Sequence, residues 1–341
     1  MTLDYLCTLD LPDSWFSALA DRVSQVKIHR VTAGERPPAA LLQRIQMLHT
    51  SEWFPHVAEV PHLRCVQLDT SGVDHVRGTS LWDTDIPIAT LGGIAPVPMA
   101  EYAMMAILEL AHRMPRIVRQ RETRAWPSNS ERLAEFTPRQ LTGSTLGVIG
   151  YGRIGREISR LASAFGMRVL GVKRTVEAAL LDTTTVNTHK FDTGQQLGLE
   201  DRTEIYPMDR LAEALARCEF VVVVVPLTEL TRGMIAGAEL DLLPAGAYLI
   251  NIARGGIVDE GALRERLHDG RIAGAVLDVF DEEPLTSDSP WWSAPNTLIT
   301  PHVAGLAPQY HAQTLDLVAQ NLTRLATGMP ILNEVDRVSG Y

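Results

Sequence analysis

The segment TLGVIGYGRIGREISRLASAFGMRVLGVKR, from Thr145 to Arg174, contains two short apolar runs separated by a helical pattern. Gly150, Gly152 and Gly155 form a GxGxxG pattern directly after the first run. In such a strand–turn–helix unit the first glycine permits the tight turn, the second lets the backbone approach a pyrophosphate, and the third lets the helix pack on the strand. The segment therefore predicts the start of a dinucleotide-binding unit.

The helix between the two runs is expected to have one apolar face and to end at Gly166. That face would consist of Ile154, Ile158, Leu161, Ala162 and Phe165. The backbone amides at the start of the helix would face the phosphates of a bound nucleotide.

Lys173 and Arg174 stand at the end of the second run, where sites that prefer NAD usually carry Asp or Glu. A carboxylate there bonds the ribose hydroxyls and repels a 2′-phosphate. No acid occurs here before Glu177. The basic pair can instead bind that phosphate by charge-assisted hydrogen bonds, and Arg174 can stack on the adenine. We expect NADP to be preferred with NAD possible; the alternative is a solvated basic turn.

Length and composition limit the class of protein. A chain of 341 residues corresponds to about two domains, and 45% hydrophobic with 21% charged residues is typical of a globular protein. The net charge is −10 and no dense basic block occurs. Nucleic acid and anionic membranes are therefore poor candidate partners.

Targeting and cysteine signals are weak. The first fifteen residues have no basic segment ahead of an apolar run, and the densest apolar run, FVVVVVPL, is too short to span a bilayer. Cys7, Cys65 and Cys218 form no CxxC pattern, which indicates neither a disulfide framework nor a zinc site. We expect buried thiols, no metal and a cytoplasmic protein.

Short apolar runs alternate with helical patterns along the chain, which is typical of parallel βαβ units. In the first part we expect strands at Leu3–Thr8, Lys27–Val31, Gln46–His49, Arg64–Leu68 and Ile86–Thr90. In the second part six runs predict a six-stranded doubly wound sheet between about Thr145 and Thr300, namely TLGVIG, RVLGV, EFVVVVV, GAYLINI, RIAGAVL and TLIT. The run of valines is typical of a strand covered on both faces.

Helical patterns connect and close these two series. A long helix, MAEYAMMAILELAHRMPRIVRQ, is expected after Pro98, and a polar excursion follows from Ala125 to Thr142. The last helix, roughly Pro308 to Leu325, has no strand after it. We expect it to return to the first unit, which would make that unit discontinuous.

Three polar residues share one topological position. Arg254 follows the run AYLINI, Glu283 lies in the loop after AVLDVF, and His302 follows TLIT. Ligands of open α/β sheets bind beyond the carboxyl ends of the strands. We therefore expect the three side chains to converge beside the cofactor.

These motifs together resemble the D-isomer-specific 2-hydroxyacid dehydrogenases over nearly the whole chain. The resemblance is carried by GYGRIG at Gly150, VPLTELTRG at Val225, LINIARGGIVDE at Leu249, LDVFDEEP at Leu277 and TPHVAG at Thr300. It is also carried by DTSGVDHV at Asp69, which looks like the family's carboxylate-binding loop, and by MAEYAMMAILELAHR, which looks like its interdomain helix.

The resemblance implies an α/β fold of two doubly wound parallel-sheet domains, with a Rossmann dinucleotide-binding domain inserted in a flavodoxin-like substrate domain. The substrate domain would comprise 1–98 and 303–341, and the dinucleotide-binding domain 99–302. Residues from about 99 to 142 would form the arm of a homodimer. Trp126 on that arm would reach the neighbouring active site, or else pack within the arm.

The resemblance also implies a reaction, the NAD(P)H-dependent reduction of a 2-keto acid to the D-2-hydroxy acid. Arg254 would hold the carboxylate and the ketone oxygen, His302 would donate a proton to the alkoxide, and Glu283 would favour the imidazolium. Backbone amides at Ser71, Gly72 and Val73 would take the other end of the carboxylate. The implied cofactor contacts are Gly150, Gly152, Arg153, Ile154, Gly155, Lys173, Arg174, Val225, Pro226, Thr231, Ile252, Ala253 and Asp278. For Asp278, which would accept from the nicotinamide carboxamide, a strand-end cap is the alternative.

Relatives with other chemistry fit less well. Phosphite dehydrogenases carry lysine where this chain has Ser71, and formate dehydrogenases carry glutamine in place of Glu283. Phosphoglycerate dehydrogenases usually read NVD in the substrate loop, where this chain reads GVD from Gly72, and they often have regulatory C-terminal domains. Corepressor-like binding proteins keep the same Arg, Glu and His and stay as the alternative function, although we expect no long disordered tail here. The particular acid stays open, because Trp53 and Phe54 could line its site or belong to the core.

Overall fold

The computed structural model describes residues 2–174, 203–338 and 340. Within this part the chain forms two compact units, one from residues 2–95 and 307–340 and the other from 96–174 and 203–306. Glu177, the first acid after the glycine turn, lies outside the described residues.

The first unit is built on a five-stranded parallel sheet. Its strands are β1 (Leu3–Cys7), β2 (Val26–Arg30), β3 (Met47–Thr50), β4 (Cys65–Leu68) and β5 (Ile88–Ala89). They lie in the order β2-β1-β3-β4-β5, which is the flavodoxin-like order with a switch point between β1 and β3. All five predicted strands are confirmed, each within two residues of the predicted bounds.

The helices of the first unit are α1 (Asp13–Arg22), α2 (Ala39–Leu42) and the C-terminal helix α10 (Tyr310–Thr327). Leu315 and Leu322 of α10 belong to the same buried cluster as Tyr5 of β1 and Leu19 of α1. Burying such a side chain contributes roughly 1.5–3 kcal/mol. Both ends of the described chain therefore share one core.

The second unit is built on a seven-stranded parallel sheet. Its strands are β6 (Thr145–Ile149), β7 (Arg168–Lys173), β8 (Glu204–Pro207), β9 (Phe220–Val223), β10 (Ala247–Asn251), β11 (Ile272–Leu277) and β12 (Thr297–Ile299). The order β12-β11-β10-β9-β6-β7-β8 reverses direction between β6 and β9, which is the Rossmann switch point. The predicted α/β fold with two parallel sheets is confirmed.

The prediction of six strands in this sheet was wrong, because β8 adds a seventh at its edge. The sequence of β8, EIYP, contains a charged residue and ends on proline. Edge strands are often short and polar and tolerate proline, because one side of the strand forms no backbone hydrogen bonds with a neighbouring strand. Such a strand has no apolar run by which the sequence could show it.

The helices of the second unit surround this sheet. They are α3 (Pro96–Ala111), α4 (Met114–Thr123), α5 (Asn129–Phe136), α6 (Arg153–Ala164), α7 (Leu211–Leu215), α8 (Gly237–Leu242) and α9 (Glu260–His268). Helix α3 packs mainly on α6 and the sheet, and its apolar face joins the core below β6. No helix within the described ranges is long and apolar enough to cross a bilayer.

The single long helix expected after Pro98 is divided in two. It begins earlier, at Pro96, and breaks at Arg113, which has φ +55 and precedes α4. Pro115 lies in the first turn of α4, where its missing N–H is tolerated, whereas it would clash inside a continuous helix. The polar segment that follows contains α5, whose start is capped by Ser128 and Glu131 in a capping box.

The three cysteines are buried free thiols, as the sequence predicted. Burial raises the pKa of Cys65 and of Cys218 to about 12. Both therefore stay protonated at neutral pH and act as small apolar groups.

A buried polar cluster lies at the carboxyl ends of β1, β3 and β4. His49 is fully buried, with Nδ1 2.8 Å from the Tyr5 hydroxyl oxygen. Its Nε2 lies 3.4 Å from Asp69 Oδ1, an ion-pair distance without the alignment of a hydrogen bond. Burial of the ring lowers the pKa of His49, but Asp69 and Cys7 beside the ring outweigh this effect and raise it to about 9.

We expect this cluster to make stability depend on pH. The pKa of His49 is about 9 in the folded protein, above its ordinary 6.5, so its proton stabilises the fold fully below pH 6.5 and that contribution is lost as pH rises through 9. The free energy of unfolding should fall by roughly 1–3 kcal/mol across this range. Urea denaturation at intervals between pH 6 and pH 9.5 measures it.

Asp69→Asn removes the carboxylate that stabilises the imidazolium and should abolish most of this pH dependence. Asp83→Asn, at an exposed aspartate of the same unit, is the control and should keep the wild-type slope. An equal slope in all three proteins would show that His49 does not bind the proton responsible.

Candidate active site

The glycine turn after β6 is shaped by close backbone contacts. Gly150 has φ +113, and a Cβ at this position would lie 2.7 Å from the Val224 carbonyl oxygen. A Cβ on Gly155 would lie 2.3 Å from the Gly150 carbonyl oxygen. Gly150 is therefore required by the close approach of the chain after β9, and Gly155 by the packing of α6 on the turn after β6.

Gly152 is different, because a Cβ there would meet no atom within 4 Å. The residue is exposed and caps the N-terminus of α6. The amides in the first turn of a helix have no intrahelical acceptors and form a site for anions. Open space beside such amides fits the pyrophosphate of a dinucleotide, and Arg153, Ile154 and Gly155 form that first turn.

Ile158 and Ala162 form the buried face of helix α6, which packs in the same apolar cluster as Val148 of β6. The prediction that Phe165 shares this face was wrong, since its side chain is 44% exposed. The helix ends at Ala164, and Gly166 turns the chain with φ +76. Phe165 therefore lies beyond the last helical turn.

The basic pair lies next to the glycine turn. The carbonyl oxygen of Val172 near the end of β7 accepts from both Gly150 N, at 3.0 Å, and Tyr151 N, at 2.9 Å. Lys173 is the last residue of β7 and is half-buried, and Arg174 after it is exposed. Two cationic residues therefore lie at the end of the strand that is hydrogen-bonded to the glycine turn.

The other predicted cofactor contacts follow β9 and β10. Val225 is buried, and the Thr231 hydroxyl closes the loop by donating to the Pro226 carbonyl oxygen at 2.6 Å. Ile252 and Ala253 are buried directly after β10. These residues lie at the carboxyl edge of the sheet, as ligand-binding residues do in open α/β folds.

Arg254, Glu283 and His302 follow β10, β11 and β12, which are neighbours in the sheet. The Asn251 side chain holds the Arg254 turn, because its amide donates to the Arg254 carbonyl oxygen at 3.3 Å and its oxygen accepts from Ala253 N at 3.2 Å. The strand order therefore brings the three loops to one edge.

His302 and Glu283 form a hydrogen-bonded pair. The distance from His302 Nδ1 to Glu283 Oε2 is 2.8 Å, and Glu283 Oε1 accepts from Phe280 N at 2.9 Å. A carboxylate can only accept, so Nδ1 carries the hydrogen. The ring therefore presents Nε2 as the atom that can exchange a proton with a ligand.

A close backbone approach joins the Arg254 loop to the Glu283 loop. A Cβ on Gly255 would lie 2.0 Å from the Phe280 carbonyl oxygen, so only glycine fits. Gly256 N donates to the Asp281 carboxylate, and Asp281 N donates to Glu260 Oε1 at 2.6 Å.

Glu260 is itself fixed by Trp291, whose Nε1 donates to Oε2 at 2.7 Å. Burial raises the pKa of Glu260. Sequence reasoning did not find Glu260, Asp281 or Asn251, although the GG pair after Arg254 was a signal that another backbone comes close.

Asp278 is 1% exposed, and its carboxylate accepts three hydrogen bonds from the turn that carries His302. This is the arrangement of a strand-end cap. A carboxylate has about four acceptor positions, so the predicted bond to a nicotinamide carboxamide stays a prediction.

The predicted carboxylate-binding loop belongs to the first unit. It follows β4, with Ser71 exposed, Gly72 half-buried and Val73 3% exposed. Trp53 and Phe54 pack partly buried against the apolar cluster of that unit. Trp126 belongs to the second unit and is 87% exposed.

Comparison with known proteins settles the family. Residues 104–197 and 178–304 match the model of the D-isomer specific 2-hydroxyacid dehydrogenase, NAD binding domain. The chain belongs to the D-isomer-specific 2-hydroxyacid dehydrogenases. It is an NAD(P)-dependent oxidoreductase that reduces a 2-keto acid.

Named relatives of this dehydrogenase include two enzymes of known substrate class. The (S)-sulfolactate dehydrogenase of Chromohalobacter salexigens is 33% identical over 272 residues, 79% of this chain and 79% of the relative. The glyoxylate reductase of Aeropyrum pernix is 30% identical over 286 residues, 82% of this chain and 78% of the relative. Such relatives give no support to the alternative of a binding protein without turnover.

A solved structure covers the full length of the dehydrogenase. It is a D-isomer specific 2-hydroxyacid dehydrogenase from Xanthobacter autotrophicus Py2 in complex with NADPH and MES, with a TM-score of 0.81 and 29% identity over 100% of both chains. The fold of each unit is therefore that of a dehydrogenase of this family.

Proposed function

We propose that the protein is an NADPH-preferring reductase of small 2-keto acids, with Arg254, Glu283 and His302 as its catalytic residues. The observation that carries the proposal is the 2.8 Å bond from His302 Nδ1 to Glu283 Oε2. It fixes the tautomer and orientation that a proton donor needs. Arg254 belongs to the loop after β10, next in the sheet to the strand before Glu283.

Arg254 binds the substrate in this proposal. A guanidinium offers a planar fork of donors that matches a carboxylate and an adjacent ketone oxygen. Binding both oxygens would fix the carbonyl carbon in position and polarise the ketone. The amides of Ser71, Gly72 and Val73 are proposed to bind the same carboxylate, on the resemblance alone.

His302 donates the proton. The reduced nicotinamide supplies the hydride that adds to the carbonyl carbon when the cofactor is bound. Negative charge then develops on the former ketone oxygen, and His302 Nε2–H can protonate it. Glu283 accepts from Nδ1–H throughout and so stabilises the imidazolium before the transfer.

The cofactor is held by the glycine turn, the first turn of α6 and the loops after β9 and β10. Lys173 and Arg174 would bind the 2′-phosphate of NADPH, since they lie at the end of β7, the strand that accepts hydrogen bonds from Gly150 and Tyr151. The Xanthobacter relative with NADPH bound supports this preference. Asp278 is proposed to accept from the carboxamide.

The substrate is tested with a panel of 2-keto acids. Glyoxylate, hydroxypyruvate, sulfopyruvate and a branched 2-keto acid are each assayed with NADPH and NADH by loss of absorbance of the reduced cofactor. We expect a small acid to give the highest kcat/KM. Absence of turnover with every acid would contradict the proposed function.

A cytoplasmic location stays a prediction from the sequence.

His302→Ala should lower kcat by roughly 10²- to 10⁴-fold, because the proton donor is lost, while the Kd for NADPH changes little. Arg254→Ala should instead raise KM and lower kcat together. His268→Ala, at an exposed histidine, is the control. A loss under threefold for His302→Ala would exclude it as the proton donor.

Lys173→Asp combined with Arg174→Ala should shift preference from NADPH toward NADH. Two charge-assisted contacts to one phosphate predict a roughly 10- to 100-fold fall in kcat/KM for NADPH. The same change in charge at Lys27 and Arg30, both exposed in the first unit, should leave the ratio alone. A wild type that favours NADH, or an unchanged ratio, would show that this pair does not bind the phosphate.

A homodimer is proposed through the arm from about 99 to 142, which includes α4 and α5. None of the residues of these two helices is buried, and exposed apolar side chains here include Val118, Trp126 and Leu133. A second copy would cover them. Light scattering at micromolar concentration should show a dimer that Trp126→Ser with Leu133→Ser dissociates, whereas Met329→Ser should not. A wild-type monomer would end the proposal.

A further inference from the structure

The backbone at His302 is held in an unfavourable conformation. Its φ is +54, the left-handed region that costs a non-glycine residue roughly 1–2 kcal/mol. Such a residue persists only where the surrounding structure fixes it.

Asp278 accepts several hydrogen bonds that fix the turn at His302. Its carboxylate accepts from the Thr300 hydroxyl at 2.6 Å, from Val303 N at 2.8 Å and from Ala304 N at 2.8 Å. Its carbonyl oxygen accepts from His302 N at 3.0 Å. Donors on both sides of His302 thus converge on one buried residue.

Thr300 is in turn bonded to Tyr102 of α3 through their hydroxyls. The direction of this chain is fixed, because a carboxylate only accepts. Thr300 therefore donates to Asp278, and its oxygen accepts from Tyr102. Burial raises the pKa of Tyr102 to about 12, with Asp278 adding to this effect and Thr300 opposing it, so the phenol keeps its proton at neutral pH.

We propose that Tyr102 is a positioning residue for the proton donor, acting on the His302 turn through the chain Tyr102 O–H to Thr300 O–H to the Asp278 carboxylate. The inference rests on the proposed role of His302. Loss of the phenol hydroxyl leaves Thr300 free to rotate its own hydroxyl away from Asp278. The turn then samples conformations in which His302 is not aligned with the ketone oxygen.

The test is a double-mutant cycle with Tyr102→Phe and His302→Ala, using the full-length protein, NADPH and its best keto acid. In the wild-type background Tyr102→Phe should lower kcat about 5- to 20-fold, with the Kd for NADPH unchanged. In the His302→Ala background the same change should cost less than twofold, since no proton donor is left to position. A purely structural role would give equal losses in both backgrounds.

Two further variants and a control sharpen the result. Thr300→Ser keeps the hydroxyl and should stay near wild-type kcat, whereas Thr300→Val should lose as much as Tyr102→Phe or more. Tyr248→Phe is the control, because the Tyr248 hydroxyl makes no hydrogen bond within the described residues, and the substitution keeps the ring that stacks on Phe220 and lies beside the Arg139 guanidinium. It should leave kcat unchanged.

Amide hydrogen exchange gives a readout that needs no turnover. Exchange at Val303 and Ala304 should rise several-fold in Tyr102→Phe and not in Tyr248→Phe. Wild-type protein without activity toward any keto acid would overturn the proposed function and leave exchange to decide this contact. Two results with an active wild type would overturn the inference and leave the proposed function standing. One is that Tyr102→Phe changes neither kcat nor amide exchange. The other is that Tyr102→Phe lowers kcat equally in the wild-type and His302→Ala backgrounds.

Discussion

Asp278 is only 1% exposed, so its carboxylate has little contact with water and needs hydrogen-bond donors from the protein. This requirement organises the turn that carries His302. An unpaired buried charge is so unfavourable that the chain around it takes the conformation that satisfies it. Here the donors all come from residues 300, 303 and 304. The left-handed backbone of His302 is the consequence, since the residue lies between donors that must face one carboxylate.

The neighbouring loops are joined by sterics as well as by charge. Gly255 lets the Arg254 loop lie against the backbone at Phe280, and Phe280 N in turn holds one oxygen of Glu283. The other oxygen of Glu283 binds His302. Packing against three adjacent strands makes these positions rigid, and a rigid support is what aligned proton transfer needs.

The residues proposed to set cofactor preference lie outside the buried core of the sheet. Lys173 and Arg174, which are proposed to bind the 2′-phosphate, lie where β7 ends, and neither side chain is buried in the core. The first unit has its own buried constraint, the His49–Asp69 pair, directly before the predicted carboxylate-binding loop. Relatives of similar sequence include proteins as different as a sulfolactate dehydrogenase and a glyoxylate reductase, as expected where function depends on the site residues rather than on the fold.

The sequence by itself determined the buried strands, the glycine turn and the positions of Arg254, Glu283 and His302 after β10, β11 and β12, because apolar runs and strand ends are local patterns. It could not show the edge strand β8, which has no apolar run, whereas Pro115 was a local signal for the helix break at Arg113. Only the tertiary structure decided that His302 Nδ1 binds Glu283, that Gly255 meets Phe280, and that Tyr102 reaches Thr300 across 198 residues of sequence. Those contacts join segments distant in the chain, and their geometry is set by how the strands order and pack.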